Sequence, residues 1–219
     1  MSDTGLTASA RLTLGASIAV SLAYFIIRDN ALSPVVQIGS KGASVGLLAL
    51  FAALSGQWAD RYLLVAGLTL AALGDMVLEI SMMAGGALFA LAHLVMIALF
   101  LRHPRDRRSG SQQLAAGALV IGTPVIAALL TMPDPRWPFA AGYAALVGAM
   151  AASAWRSRFP RYRVGVGAVL FVISDLLIFA REGGDVFSDV SWWLIWPLYY
   201  LGQFLIATGV VRAPRQARA

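Results

Sequence analysis

Long apolar runs separated by short polar connections fill almost the whole sequence. A helix needs about 20 predominantly apolar residues to span a bilayer, and eight runs approach that length. We predict membrane-spanning helices at Thr7–Ile27, Val36–Leu54, Tyr62–Ile80, Gly85–Leu101, Gln112–Thr131, Trp137–Trp155, Val164–Ala180 and Trp192–Val211. The connections are too short to form an extramembrane domain. The predicted fold is an all-α integral membrane protein with one eight-helix transmembrane domain over residues 1–219.

The basic residues orient these helices, because cytoplasmic loops of membrane proteins carry an excess of Lys and Arg. With the N-terminus inside, only Arg28, Lys41, Arg136 and Arg181 fall outside. The inner basic residues are Arg11, Arg61, Arg102, Arg105, Arg107, Arg108, Arg156, Arg158, Arg161, Arg163, Arg212, Arg215 and Arg218. We therefore predict a multi-pass protein with both termini cytoplasmic, in the inner or plasma membrane if the source is bacterial.

Composition agrees with a membrane location. Hydrophobic residues make up 59% of the chain and charged residues 13%, against about 25% charged in soluble domains. The net charge of +6 would suggest nucleic acid as a partner of a soluble protein. Here the basic residues cluster between apolar runs, so we expect membrane lipids as partners and no nucleic acid. The chain has no cysteine, which excludes thiol chemistry.

Two carboxylates interrupt the apolar runs at matching places, Asp75 in the third predicted helix and Asp175 in the seventh. Each acid costs about 2.5 kcal/mol or more in a bilayer, which favours a functional role. Both helices run outward, and both acids lie about five residues before the outer end, roughly 8 Å deep. The two acids are therefore predicted to lie at one level. The alternative is a purely structural bond between helices.

Other polar side chains are expected in the same layer of the outer half: Lys41, Glu79, His93, Tyr143, Tyr199, Tyr200 and Gln203. Polar groups need partners in hydrocarbon, and one shared cavity supplies them most simply. His93 is a general base, an orienting donor or a packed core residue. Glu79 is a third acid at the mouth of the site or an interfacial residue. Lys41 binds phosphate, pairs with an acid or extends to the interface.

Paired carboxylates suit acid/base work because burial and mutual repulsion separate their protonation states. A zinc site would need His93 together with both acids, and the chain has only two histidines, so we predict no metal site and no cofactor. His103 falls in a basic inner loop and is predicted to be solvated. The spacing of one hundred residues between the acids also suggests a weak internal repeat, about 7–101 and 112–211.

Four motifs resemble those of a known family: Gly74-Asp75-x-x-Leu78, Phe89-x-x-x-His93, the run from Gly167 to Leu177, and Tyr199-Tyr200-x-x-Gln203-x-Leu205-Ile206. Together they are similar to the YhhN-like family, which includes the animal transmembrane lysoplasmalogenases. The sequence departs from the family where Lys41 is followed by Gly42 rather than by proline. The resemblance implies an eight-helix hydrolase that cleaves the vinyl ether of lysoplasmalogen. The products would be a fatty aldehyde and glycerophosphoethanolamine or glycerophosphocholine.

That chemistry agrees with the candidate residues, because vinyl ethers hydrolyse in acid through an oxocarbenium ion, much as glycosides do. We expect Asp75 and Asp175 to divide the catalytic roles and His93 or Tyr143 to position water. Tyr200 and Gln203 are expected to hold the substrate glycerol, and Lys41 to meet its phosphate at the outer rim. The other residues expected to bind substrate are Glu79, Tyr143 and Tyr199. Two other classes stay open: a proton- or cation-coupled transporter that uses the Asp pair, and a lipid-binding protein without catalysis.

Overall fold

The computed structural model describes residues 6–28, 33–56, 58, 60–107, 109–184 and 188–213, and these form eight long α-helices. The helices are α1 (Ala8–Ile27), α2 (Pro34–Leu54), α3 (Arg61–Leu78), α4 (Met82–Leu101), α5 (Gly110–Thr131), α6 (Trp137–Arg156), α7 (Val166–Glu182) and α8 (Ser188–Val211). Each is long and apolar enough to cross a membrane. The prediction of an all-α, eight-helix membrane fold is confirmed. Arg108, Arg215 and Arg218, which were predicted to face the cytoplasm, lie outside the described residues.

The helix ends differ from the predicted ones because polar residues cap several helices beyond the apolar run. Helix α4 begins at Met82, where the Ser81 hydroxyl accepts a hydrogen bond from the amide of Ala84. Helix α5 begins at Gly110, preceded by a reciprocal capping box between Ser109 and Gln112. A π-helical turn, Arg161–Gly165, leads into α7. Apolar patterning thus located the membrane portion of each helix, and the caps set its ends.

Six helices pack as a closed ring in the order α2, α3, α4, α6, α7, α8, with α8 returning to α2. Helix α1 lies outside the ring against α2 and α8, and α5 lies outside it against α6 and α7. The first four and the last four helices therefore have a similar order of neighbours: one outer helix followed by three ring helices. The internal repeat stays a prediction.

Glycines allow α7 and α8 to approach each other closely within the ring. A Cβ placed on Gly167 would lie 2.7 Å from the carbonyl oxygen of Gly202, and a Cβ on Gly202 would lie 2.7 Å from that of Gly167. Small residues at such crossings let helix backbones approach closely in membranes. This contact fixes α8, and with it Tyr199 and Gln203, against the helix that carries Asp175.

The loops at one end of the bundle interlock. The amide of Arg158 donates to the His103 carbonyl oxygen at 2.8 Å, and Arg102 Nη1 lies 2.9 Å from Asp60 Oδ1. The prediction that His103 is solvated is wrong. Its side chain is only 13% exposed, with Nε2 3.0 Å from Asp60 Oδ2 and the ring 5.2 Å from that of Phe159. Burial, followed by the charge of Arg158, lowers the pKa of His103 in spite of Asp60. The contact between loops that encloses the imidazole ring of His103 is tertiary, so the local sequence does not predict it.

Candidate active site

Asp75 lies near the end of α3, with only 3% of its surface exposed. The hydroxyl of Tyr199, from α8, donates a hydrogen bond of 2.6 Å to its Oδ2 atom. The side chain of Gln203 hydrogen-bonds this same hydroxyl. Tyr199 and Gln203 are four residues apart and so lie on one face of α8. This helix face therefore supports the first carboxyl group.

Asp175 lies on α7 and is 7% exposed. The hydroxyl of Tyr143, from α6, donates to its Oδ2 atom at 3.0 Å. The Nε2 atom of His93, from α4, lies 3.2 Å from the same hydroxyl. A continuous hydrogen-bonded chain therefore joins His93 to Asp175 through Tyr143 across three helices.

Aromatic rings join the two halves of the site into one chamber. The Phe171 ring is 5.0 Å from the His93 ring and 5.3 Å from the Tyr199 ring, and the Phe89 ring is 5.9 Å from that of Tyr199. The two carboxyl groups are within electrostatic range of each other. The structure thus brings together Asp75, Asp175, His93, Tyr143, Tyr199 and Gln203, as predicted from their depth in the helices.

Lys41 and Glu79 form an ion pair at the rim of this chamber. The Lys41 Nζ to Glu79 Oε1 distance is 2.6 Å, and the side chains are 19% and 34% exposed. Lys41 is also within electrostatic range of Asp75 and of the Tyr24 hydroxyl. The rim therefore carries a cation that interacts with one of the two acids and that a ligand can reach.

Tyr200 is placed differently from the other candidates. Its hydroxyl lies 2.7 Å from the Ser17 hydroxyl, and it faces α1 rather than the acid pair. Ser17 in turn donates to the carbonyl oxygen of Ser44 at 2.6 Å. Because adjacent residues point to different faces of a helix, Tyr199 and Tyr200 cannot both face the acids. Tyr200 holds α1 against α8 and α2.

Sequence reasoning missed Tyr24 and the residues beneath the acids. Tyr24 is on α1, and its ring lies 4.4 Å from that of Trp196 and close to Lys41. Its position near the outer end of the first apolar run was the only available signal. Phe89 and Phe171 stood within the family motifs, but nothing in the sequence showed that they meet.

A small cavity lies about one helical turn below the acid pair. Ala71 and Phe171, which line it, are each four residues before an acid and therefore one helical turn below it on the same face. The cavity has room for about one water molecule. The remaining lining residues come from α3, α4, α6 and α8: Gly67, Phe89, Ala92, His93, Met96, Met150, Gln203 and Ile206.

The arrangement offers acid/base groups rather than a ligand set for a metal ion. Among the residues that the structure describes, no three His, Asp or Glu side chains come close enough together to hold one. What the chamber presents chemically is two carboxyl groups, a linked imidazole and phenol, and a cation at its rim.

A family model matches the part of the chain that contains the residues of this chamber. The chain matches the YhhN family over residues 36–210, which is most of its length and includes every candidate residue. No curated protein and no solved structure is similar enough to the chain to establish a relationship. From the family match, together with the eight-helix membrane fold, the chain belongs to the YhhN family.

Proposed function

We propose that this protein is a membrane lipid hydrolase that cleaves the vinyl ether of lysoplasmalogen to a fatty aldehyde and glycerophosphoethanolamine or glycerophosphocholine. One observation carries the proposal. Two buried carboxyl groups on different helices, Asp75 and Asp175, each accept a hydrogen bond from a tyrosine in one aromatic chamber. Membership of the YhhN family supports a membrane protein of this kind and is compatible with hydrolase activity.

The reaction needs one acid and one anion. Protonation of the vinyl carbon distal to the ether oxygen gives an oxocarbenium ion, which a nearby carboxylate stabilises, as in glycoside hydrolysis. Water then adds to the cationic carbon, and the resulting hemiacetal breaks down to aldehyde and alcohol. The aromatic walls, Phe89 and Phe171, exclude bulk water from the cation and strengthen its attraction to the carboxylate.

The surroundings of the two acids differ, and this difference assigns their roles. Asp75 has the ammonium group of Lys41 within electrostatic range, which favours the carboxylate form. Among the described residues, the ionisable groups that act on Asp175 are Tyr143, which donates a hydrogen bond to it, and the second acid, Asp75. We therefore assign Asp175 as the proton donor and Asp75 as the anion that stabilises the oxocarbenium ion.

The rim matches the polar end of the substrate. A phosphate carries the charge that Lys41 pairs with, and Glu79 already holds the lysine at the mouth of the chamber. A phosphate bound at Lys41 would place the glycerol on the side of Asp75, the acid that lies within electrostatic range of this lysine.

Aldehyde release from purified protein given alkenyl lysophosphoethanolamine tests the proposal. Asp75→Asn and Asp175→Asn are each expected to lower kcat by about 100-fold or more, the usual contribution of a positioned acid or base. Asp106→Asn is the matched control, because Asp106 is exposed in the loop after α4. Absence of aldehyde from the folded wild type, or full activity in both Asn variants, would refute the proposal. Uptake driven by a proton gradient without aldehyde would support a transporter instead.

A further inference from the structure

The cavity beneath the acids borders two buried polar side chains that have spare hydrogen-bonding capacity. His93 and Gln203 are 2% and 3% exposed, and both line the cavity. Within the described part of the chain, the hydrogen bond of His93 runs through Nε2 to Tyr143, which leaves Nδ1 without a protein partner. Gln203 hydrogen-bonds Tyr199 and keeps further amide capacity. Buried polar groups normally have partners, so a water molecule is the expected one here.

The hydrogen bonds also determine the tautomer of His93. Tyr143 has one hydroxyl proton and donates it to Asp175. With the acid proton of Asp175 on its other oxygen, Oδ1, the bond between His93 and Tyr143 runs from the imidazole N–H at Nε2 to the phenol oxygen. A neutral imidazole with its proton on Nε2 has an acceptor at Nδ1. The free nitrogen of His93 is therefore an acceptor for a water proton.

We propose that this cavity holds the hydrolytic water, and that His93, Tyr143 and Gln203 position it and return its proton to Asp175. The inference rests on the proposed function, because it concerns the second half of that reaction. Gln203 and the His93 Nδ1 atom hold the water below the acid pair. The apolar lining, including Met96, Met150 and Ile206, limits the cavity to a molecule of that size.

The proton transfers balance over one turnover. Asp175 gives its proton to the distal vinyl carbon and becomes a carboxylate. The water oxygen bonds to the oxocarbenium carbon while a water proton moves to His93 Nδ1. The Nε2 proton passes to Tyr143, whose own proton passes to Asp175, so Asp175 is protonated again. His93 is left with its proton on Nδ1, and proton exchange with cavity water returns it to the Nε2–H form before the next turnover. The hemiacetal then breaks its bond to the glycerol oxygen, which takes the hemiacetal hydroxyl proton, and the aldehyde leaves.

Product partition between water and methanol tests this assignment with a readout that does not depend on overall rate. Methanol that adds to the oxocarbenium ion gives a stable mixed acetal, which mass spectrometry separates from the aldehyde. The wild type is expected to give aldehyde almost alone, because the cavity fits about one water. Gln203→Ala enlarges the cavity and is expected to raise the share of mixed acetal at least about fivefold, since the shorter side chain leaves room for the methyl group of methanol.

A second variant separates positioning from packing. Gln203→Leu keeps a similar side-chain volume but removes the hydrogen bonds. We expect kcat to fall about 10- to 100-fold with KM changed less than about twofold, as for a group that acts in a transition state rather than in substrate binding. Gln112→Leu is the matched control, because Gln112 is another buried glutamine, 2% exposed, in the cap of α5. Equal losses in the two variants, or an unchanged acetal share in Gln203→Ala, would overturn the proposal.

The failure of this inference differs from that of the proposed function. A wild type that releases aldehyde while the Gln203 variants behave like the control refutes the water site alone. A wild type that releases no aldehyde refutes the proposed function. The site is then judged by an experimental density map at high resolution. A water within about 3.2 Å of His93 Nδ1 and the Gln203 amide supports the site, and an empty cavity overturns it.

Discussion

A carboxyl group inside hydrocarbon persists only when neighbouring polar groups offset its lost hydration, and the two buried acids meet this need with different partners. Asp75 has Tyr199 and, at longer range, Lys41. Asp175 has Tyr143, which His93 follows. This difference in partners is what separates a proton donor from a stabilising anion in our account.

The two tyrosines are therefore expected to respond differently to removal of the hydroxyl. Tyr143→Phe breaks the hydrogen-bonded chain from His93 to Asp175. We expect kcat to fall about 10- to 100-fold, which is part of the rate enhancement that a positioned acid or base usually provides. Tyr199→Phe leaves that chain intact and is expected to lower kcat less than about tenfold. Kinetic constants for both variants provide the measurement, with thermal unfolding to confirm that each is folded. Equal effects on kcat would contradict the relay.

The pH dependence of stability is predicted to involve His103. Because the pKa of His103 is lowered in the folded protein, the unfolded chain, with an ordinary value of about 6.5, binds a proton more readily. This group therefore leaves stability unchanged above about pH 7 and reduces it as the pH falls through about 6.5. His103→Gln should flatten the fall in Tm between about pH 7 and 5, whereas an identical fall in variant and wild type would exclude His103 as the source.

At the scale of the helix, the predictions from sequence agree with the structure where they depend on local properties of the chain. They differ from it where they depend on tertiary contacts. The depth of a residue in the membrane follows from its distance in residues from the helix end, at about 1.5 Å per residue. The shared depth of Asp75 and Asp175 was therefore predictable. The order of helices around the ring was not, because lipid-facing and protein-facing apolar residues are alike in the sequence. That is why Tyr143 and Tyr199 were recognised as candidates but their partners were not, and why Tyr200 was grouped with them.

The close approach of α7 and α8 leads to a prediction about the helices. Gly202→Ala places a Cβ 2.7 Å from the Gly167 carbonyl oxygen, so the helices must separate. We expect a loss of about 1–3 kcal/mol of unfolding free energy, typical of overpacking. Gly86→Ala, on α4, meets nothing within 4 Å and should be neutral or stabilising, because alanine favours helix. Thermal unfolding in detergent measures both, and equal effects would show that the crossing is not tight.

The whole molecule combines a closed ring of six helices with two helices outside it, and the helices that carry the acids, α3 and α7, take opposite positions in this ring. Eight spans and the asymmetry of basic residues predict that both termini are cytoplasmic. The family match and the helix count support the fold, while the orientation stays a prediction.

Cysteine labelling tests the orientation, since the natural chain contains no cysteine. Ile80→Cys lies in the turn between α3 and α4, where Ile80 is 78% exposed, and Asp106→Cys lies in the exposed loop after α4. A membrane-impermeant maleimide added to intact cells is expected to label the first and to spare the second until the cells are opened. The reverse pattern would invert the topology and place the Lys41 rim on the cytoplasmic side.

The central claim is that an acid of this chain protonates a vinyl carbon. It is tested most directly by hydrolysis of alkenyl lysophosphoethanolamine in D2O, with immediate trapping of the aldehyde and mass spectrometry. We predict one deuterium on the carbon next to the aldehyde carbon, together with loss of the product in Asp175→Asn. An aldehyde released without that deuterium, or labelled aldehyde formed equally well by Asp175→Asn, would contradict the account.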